Sequence, residues 1–341
     1  MTGNVQLTQA NQLQASRGAT APIDFTPPQF GFFKTVGAAM DRVLDRVTEG
    51  DPKRYRQACK RVASHLDSMS SEYRSGRQPS IDYGDPLVRL AYLYRHVPVH
   101  ANIIHAAIRE TPGLAKFVEW RLRETGELRV CAFGGGPGTE LLALVKHLAA
   151  NPRSSDLPTI RFTVVDNEEA WWETWHALRD EVHREMGAAF GQSRRGWPFT
   201  IEADHRCVDM ANCRRYVDVG STYGHDLLVL NYVLSEIHDE RGQSDLVDFL
   251  ARMCGANNSP ARVLIADRYE QDARTPTLAK RLVKDQSLAL QGQSFIVFNR
   301  AMNADEACVD LGRCYSRLEG LGYSPRLRAR AFFLSARNRA A

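Results

Sequence analysis

The stretch Leu128-Arg-Val-Cys-Ala-Phe-Gly-Gly-Gly-Pro-Gly-Thr-Glu-Leu-Leu-Ala-Leu144 decides the fold. It predicts an apolar strand that ends at Phe133, a sharp turn over Gly134–Gly136, and a helix that begins near Gly138. Glycine suits such a turn because it adopts positive φ and lets a ligand approach bare backbone. The free N–H groups at the start of the helix favour an anionic or carboxylate-bearing group. A ligand-binding bend between a strand and a helix is therefore expected.

Downstream of this bend, short apolar runs alternate with segments long enough for crossover helices, such as Thr139–Ala150. Strands alternating with helices indicate a parallel sheet with helices on both faces. The final run starts with alternating polar and apolar residues, as an edge or antiparallel strand would. The pattern predicts a doubly wound, mostly parallel seven-stranded α/β sheet. The predicted strands are residues 129–133, 160–166, 205–208, 226–230, 263–266, 294–299 and 327–335.

The chain before the bend has a different texture, and three regions are expected. Residues 1–30 are rich in polar residues and predict a disordered leader. Residues 31–126 carry apolar positions at three- and four-residue steps, which is typical of helices and predicts a cap that shapes the substrate site. Pro98 should end or kink one of these helices. Residues 127–341 are expected to form the Rossmann-like domain.

Composition places the protein among ordinary globular chains. Its 341 residues are 43% hydrophobic and 25% charged, with a net charge of +4. No apolar run is long enough to span a membrane, so no membrane partner is expected. The seven cysteines form no pair with the spacing of a zinc site, which predicts buried thiols and no structural metal. A reducing compartment, the cytoplasm, is expected, with the nucleus left open.

The glycine spacing carries a resemblance to a known family. Gly134, Gly136 and Gly138 match the G-x-G-x-G pattern that class I S-adenosylmethionine-dependent methyltransferases carry in their first strand-to-helix turn. The dinucleotide pattern G-x-G-x-x-G would need glycine at position 139, which is Thr139. The chain therefore resembles these methyltransferases, and the resemblance implies S-adenosylmethionine as its cofactor.

The resemblance also implies roles for two acids that follow predicted strands. Asp166 matches the acid that accepts hydrogen bonds from the ribose hydroxyls, with Asn167 at the edge of that pocket. Alternatively, Asp166 caps the helix that follows. Asp209 matches the acid that meets the adenine amino group, with Met210 on the ring face. Asp209 is also compatible with ordinary turn chemistry.

One position departs from the family pattern. The acid two residues before the first glycine, which helps to hold the methionine amino group, is Ala132 here. Glu140 or a residue of the helical cap is expected to supply that contact. The full set of predicted cofactor-binding residues is Phe133, Gly134, Gly135, Gly136, Gly138, Glu140, Asp166, Asn167, Asp209, Met210 and Asn231.

The end of the fourth predicted strand faces the methyl group in the family. Its candidates for substrate contact and catalysis are Asn231, Tyr232, Glu236 and His238. His238 fits a general base, or a surface or capping residue.

Two sets of aromatic residues each have two interpretations. The tryptophans at 171, 172 and 175 fit a stacking platform or core packing, and the segment 92–100 fits a cover over the cofactor or core packing.

Methyl transfer to an acceptor is the leading functional hypothesis, and RNA, protein and small-molecule acceptors remain open. The competing hypothesis is a catalytically silent methyltransferase-like scaffold, for example on RNA. It is motivated by Ala132 and by the absence of a recognisable catalytic motif after the fourth strand. A nicotinamide-dependent oxidoreductase is disfavoured by Thr139.

Overall fold

A computed structural model describes residues 31–74, 80–111, 113–150, 158–190, 200–210, 224–237, 240–255, 261–268, 288–298, 311–326 and 329–338. Five helices precede the first strand, and the boundaries near Pro98 and Thr111 agree with the sequence pattern. Asp85 caps α3 by accepting a hydrogen bond from the N–H of Leu87 at 2.8 Å. The helices are α1 Phe32–Val47, α2 Pro52–Arg74, α3 Pro86–Arg95, α4 Val97–Glu110, α5 Leu114–Thr125, α6 Thr139–Ala149, α7 Trp171–Phe190, α8 Glu240–Gly255 and α9 Arg313–Gly320.

The strands form one seven-stranded sheet in the order β3-β2-β1-β4-β5-β7-β6. All neighbouring pairs are parallel except those that involve β7, which runs antiparallel to both β5 and β6. The predicted α/β fold with a mostly parallel seven-stranded sheet is confirmed. The strands are β1 Glu127–Phe133, β2 Thr159–Asp166, β3 Thr200–Cys207, β4 Leu227–Asn231, β5 Arg262–Arg268, β6 Leu288–Phe298 and β7 Ala329–Asn338.

Alternate side chains of the strands point to opposite faces of the sheet, and each face carries one buried apolar cluster. On one face Val130 of β1 and Val164 of β2 join a continuous cluster with apolar residues of α1–α7. On the other face Cys131 of β1 joins Leu246 and Leu250 of α8. The helices before β1 therefore share one core with α6 and α7, and the carboxyl ends of the parallel strands are left to form the site.

Two strand predictions need correction. β3 begins at Thr200, five residues before the predicted start. Its first residues alternate polar and apolar side chains on a half-exposed strand at the end of the sheet, so they form no continuous apolar run. β6 begins at Leu288, six residues before the predicted start at residue 294. β7 is antiparallel to both of its neighbours, which is one of the two alternatives that its pattern predicted.

Some expectations fall on residues outside the described ranges, namely the leader 1–30 and His238. The division into a cap and a Rossmann-like domain also stays a prediction. The four cysteines with described side chains are free, and three of them are buried. Among the described residues, no group of three histidine, cysteine or acidic side chains could hold a metal ion. Within those same ranges, no helix is long and apolar enough to cross a bilayer.

The first helix caps the last one. Gly312 precedes α9 and has no side chain with which to cap it, and its φ of 91° is one that glycine tolerates. Asp41 of α1 takes over this role, because its two carboxylate oxygens accept the N–H groups of Arg313 and Cys314, each at 2.8 Å. The hydroxyl of Tyr55 donates to the same carboxylate at 2.6 Å. One side chain thereby joins α1, α2 and α9.

Replacing Asp41 by alanine is expected to lower the free energy of unfolding by about 2 kcal/mol, because two helix N–H groups lose their acceptor. Urea denaturation measures the change. The control is Asp45→Ala, since Asp45 is more exposed and pairs with the side chain of Arg313 at the surface. That variant should change stability by less than about 0.5 kcal/mol. Equal losses in the two variants would contradict the capping role of Asp41.

Candidate functional site

The bend between β1 and α6 has the geometry that its glycines predict. Gly134, Gly136 and Gly138 have φ values of 59°, 43° and 83°. The N–H of Gly134 donates to the carbonyl of Val165 in β2 at 2.7 Å, and the N–H of Gly138 donates to the carbonyl of Gly135 at 2.7 Å. Gly138 is the N-cap of α6 and offers no side chain to its first N–H groups. The N–H of Leu141 donates to the carbonyl of Gly138 at 3.1 Å. The N-terminus of a helix that has no side-chain cap favours an anionic ligand.

Neighbouring side chains also leave no space for a Cβ atom at two of these glycines. A Cβ on Gly134 would lie 2.6 Å from a methyl carbon of Val233, and one on Gly138 would lie 2.1 Å from the ring of Trp175. Trp175 itself is fully buried and stacks on Phe162 of β2 at 5.5 Å. The core-packing interpretation of Trp175 is therefore confirmed, and its ring leaves no room for a side chain at position 138.

Asp166, at the end of β2, points into the bend. One of its oxygens accepts the N–H of Gly136 at 2.8 Å, and the other accepts the N–H of Glu168 at 3.1 Å. Burial raises the pKa of Asp166 to about 6, against the lowering effect of these backbone hydrogen bonds. Helix α7 begins only at Trp171, so Asp166 does not cap it. A carboxylate has about four lone pairs, and two hydrogen bonds leave it able to accept more.

Glu140 and Asn231 form a buried polar pair beside the bend. Glu140 is in the first turn of α6 and 1% exposed, and it accepts a hydrogen bond from the side-chain amide of Asn231 at 2.9 Å. The second carboxylate oxygen of Glu140 and the amide oxygen of Asn231 find no hydrogen-bond partner among the described residues. Burial raises the pKa of Glu140 to about 7. Buried acceptors are normally hydrogen-bonded, so two unpaired oxygens side by side indicate that a bound ligand supplies the donor.

Aromatic side chains from the start of α7 and from the chain before β1 lie next to the bend. The ring of Trp171 faces Gly136, at 3.4 Å from the place that a Cβ would occupy. Tyr83 and Tyr92 contact Trp171 with ring centroids 5.0 and 5.4 Å away, and they contact each other edge to face at 5.7 Å. Trp171, Tyr83 and Tyr92 form what we call the aromatic wall. Tyr92 thereby lies near the bend, while Leu93, Tyr94, Val97 and Val99 of the same segment are buried in the core. The role of this segment as a cover over a cofactor stays a prediction.

Tyr232 follows β4 in a conformation that non-glycine residues rarely adopt, with φ of 62°. Its N–H donates to the carbonyl of Ala266 in β5 at 2.8 Å, which fixes the backbone. Its ring stacks on that of His100 in α4, with centroids 4.0 Å apart and planes 6° from parallel. His100 continues through His96 to Tyr92 by successive ring contacts of 5.3 and 5.0 Å. Tyr232 thereby joins the end of β4 to the aromatic wall.

The other predicted site residues differ in burial and in the face of the sheet on which they lie. The Phe133 side chain points to the opposite face and packs against Phe249 of α8 at 5.8 Å, which leaves only its backbone near the bend. Met210 is buried in the cluster on that same face. Asp209 is half-buried, while Asn167 and Glu236 are exposed. These positions neither require nor prevent the predicted contacts, which stay predictions.

Tyr83 and the packing of Trp175 on Gly138 were not foreseen from the sequence. Tyr83 lies in the segment before α3, and it is positioned by the buried Arg89. The guanidinium of Arg89 donates to the carbonyl of Tyr83 at 2.7 Å and to Glu173 at 2.8 Å. Because Glu173 lies 84 residues further along the chain, no local pattern predicts this contact.

Comparison with known proteins finds no matching family model and no matching curated protein. The solved structures that the chain resembles include S-adenosylmethionine-dependent methyltransferases. One is a putative class I enzyme from Listeria monocytogenes, with 8% identity over 90% of this chain and 88% of that one, at a TM-score of 0.41. Another is geranyl diphosphate C-methyltransferase from Streptomyces coelicolor, with 11% identity over 66% and 74% and a TM-score of 0.34.

A third is a TehB-like methyltransferase from Corynebacterium glutamicum, with 14% identity over 71% of this chain and 98% of that one, at a TM-score of 0.31. At such low similarity none of these structures identifies an activity or a substrate for this chain.

Proposed function

We propose that the protein binds S-adenosylmethionine in the bend between β1 and α6 and transfers its methyl group to an acceptor. The observation that carries the proposal is the buried pair of Glu140 and Asn231, whose two unpaired oxygens lie beside a glycine bend that Asp166 holds. An α-ammonium group has the three donors that such a pair of acceptors lacks. Glu140 would thereby replace the acid that the family carries at the position of Ala132.

The proposal assigns the remaining parts of this cofactor to the other predicted site residues. Asp166 would accept the ribose hydroxyls, and the backbone N–H groups at the start of α6 would meet the methionine carboxylate. Asp209 and Met210 would border the adenine. When bound, the cofactor supplies an electrophilic methyl group on a sulfonium, so this chain needs mainly to align the acceptor. Asn231, Tyr232 and Glu236 would do so at the end of β4, together with His238.

Calorimetric titration with S-adenosylhomocysteine tests the proposal, and saturable binding at micromolar concentration is expected. Asp166→Ala is expected to weaken binding at least about tenfold, because each hydrogen bond to a carboxylate contributes roughly 1.5–3 kcal/mol. Thermal melting of the variant must show a folded protein, because Asp166 also holds Gly136. The absence of any heat with folded wild-type protein would overturn the proposal.

A catalytically silent scaffold remains the competing hypothesis, and transfer of labelled methyl groups to a cell extract separates the two. Transfer that disappears in Asp166→Ala would exclude the silent protein. Binding of S-adenosylhomocysteine without any transfer would favour it. A fluorescence titration with NADH, in which no binding is expected, checks the oxidoreductase alternative.

A further inference from the structure

Arg89 of α3 is a buried cation that joins two separate segments of the chain, and its side chain is only 2% exposed. Its Nη1 donates to the carbonyls of Tyr83 and Gly84, which precede α3, at 2.7 and 2.9 Å. Its Nε and Nη2 donate to the hydroxyl of Thr174 and the carboxylate of Glu173, each at 2.8 Å. Both of these acceptors lie in the first turn of α7. One side chain therefore fixes the start of α7 against the chain before α3.

The two segments that Arg89 joins meet at the glycine bend. Tyr83 packs on Trp171, the first residue of α7, with ring centroids 5.0 Å apart. The ring of Trp171 in turn lies 3.4 Å from the place of a Cβ on Gly136. The N–H of Gly136 donates to one oxygen of Asp166 at 2.8 Å. A continuous series of contacts thus leads from Arg89 through Trp171 and Gly136 to the carboxylate of Asp166.

An arginine is a costly residue for a purely structural contact at this place. Burial lowers the pKa of Arg89, against the raising effect of Glu173, so the surroundings oppose its charge. Apolar residues of similar volume often replace a buried ion pair without loss of stability. What the guanidinium adds is a planar fork of donors with fixed directions. Here the fork meets four acceptors on two segments, and it thereby fixes the position of one segment relative to the other.

We propose that Arg89 is a positioning residue of the site, which holds Trp171 against Gly136 and so orients the carboxylate of Asp166. Its action is indirect, through the start of α7 and the aromatic wall. That the oriented carboxylate serves the ribose of S-adenosylmethionine rests on the proposed function. The positioning itself is a property of the unbound protein and can be tested without a ligand.

Hydrogen exchange on the full chain without ligand, followed by mass spectrometry, tests this positioning. Arg89→Lys keeps the positive charge, but the donors of a single ammonium nitrogen cannot reach all four acceptors. Exchange in peptides that contain Gly136 is expected to become at least about fivefold faster, because the bond to Asp166 opens more often. Peptides from β5 should exchange as in the wild type. Unchanged exchange at the bend, or an equal increase in β5, would overturn the proposal.

Two further variants separate positioning from general stability. Arg121→Lys is the control, because Arg121 pairs with the buried Asp226 at 2.7 Å, beside the start of β1 and away from the bend. Exchange at the bend should not change in this variant. Thr174→Val removes one acceptor of Arg89 with little change in size, and a smaller increase of about two- to threefold is expected at the bend. If Arg89→Lys does not fold, no increase in Thr174→Val would overturn the proposal.

A binding cycle connects Arg89 to Asp166. Arg89→Lys is expected to weaken binding of S-adenosylhomocysteine at least about fivefold, and adding it to Asp166→Ala should weaken binding no further. Independent losses that add in the double variant would show that Arg89 does not act through Asp166. Failure of the wild type to bind S-adenosylhomocysteine would instead refute the proposed function, and hydrogen exchange would still decide the role of Arg89.

Discussion

Gly138→Ala is expected to lower the free energy of unfolding by about 4 kcal/mol, a large fraction of the stability of a typical domain. The new methyl group would lie 2.1 Å from the ring of Trp175, and the backbone has φ of 83°. A left-handed conformation costs about 1–2 kcal/mol for alanine, and overpacking adds about 1–3 kcal/mol. Urea denaturation measures the loss, and calorimetry should show that binding of S-adenosylhomocysteine is lost with it.

The chain offers a matched control for this substitution. Gly126 has a similar φ of 68°, but a Cβ there would meet nothing within 4 Å. Gly126→Ala should therefore cost only the conformational part, about 1–2 kcal/mol. Adding Trp175→Leu to Gly138→Ala should cost less than the sum of the two single changes, because the smaller side chain relieves the overlap. Equal losses for Gly126→Ala and Gly138→Ala would contradict the packing argument.

Glu140→Gln is expected to weaken binding of S-adenosylhomocysteine between about 10-fold and 100-fold. The variant would lose the proposed charge-assisted hydrogen bond to the ligand ammonium, and such a bond contributes roughly 1.5–3 kcal/mol. Calorimetric titration near neutral pH measures the change. The control is Glu181→Gln, because Glu181 is also buried but is paired with Arg42 and Arg184 away from the bend. That variant should bind the ligand as the wild type does.

The same substitution should change how stability depends on pH. The pKa of Glu140 rises from 4.5 to about 7 in the folded protein, so the folded state holds the proton more tightly than the unfolded state does. Its contribution to stability is complete below pH 4.5 and is lost as the pH rises through about 7. The unbound wild type should thereby lose up to about 3 kcal/mol over this range. The glutamine side chain of the variant stays neutral, and the variant should be the more stable protein above that range.

Ligand binding should reverse this dependence. In the proposed binding mode the ammonium group would pair with ionised Glu140, so the affinity of the wild type for S-adenosylhomocysteine should increase as the pH rises from about 5 to about 8. In Glu140→Gln the affinity should depend on pH only through Asp166, whose pKa is raised less, to about 6. A wild-type affinity that does not change over this range, or a variant that binds as tightly as the wild type, would show that Glu140 does not hold the ammonium.

The elements that could be predicted from the sequence are those with local patterns. The glycine spacing placed the bend, and the apolar run before Asp166 placed the end of β2 beside it. The strand and helix alternation gave the sheet class. The start of β3 was missed because Ile201 and Ala203 form no continuous apolar run. Their alternation with Glu202 and Asp204 is nevertheless a pattern typical of a half-exposed strand, so this part of β3 could have been predicted from the sequence.

The remaining features depend on contacts between distant segments. The stacking of His100 on Tyr232 joins α4 to the end of β4, and neither residue carries a local pattern that names its partner. The pairing of Glu140 with Asn231 spans 91 residues. The sequence identified both Glu140 and Asn231 as candidates, but only the fold shows that they share a hydrogen bond and leave two acceptors unpaired.

The capping of α9 by Asp41 has a consequence for synthesis on the ribosome. The bond from Asp41 to the N–H of Arg313 spans 272 residues. A chain made at about 5–20 residues per second would leave the parts of α1 and α2 that contact α9 uncovered for between about 15 and 55 seconds, while α3, α4 and α7 cover their other faces earlier. The contact between Asp41 and α9 is therefore expected to form late in folding during synthesis, after the remainder of this helical core.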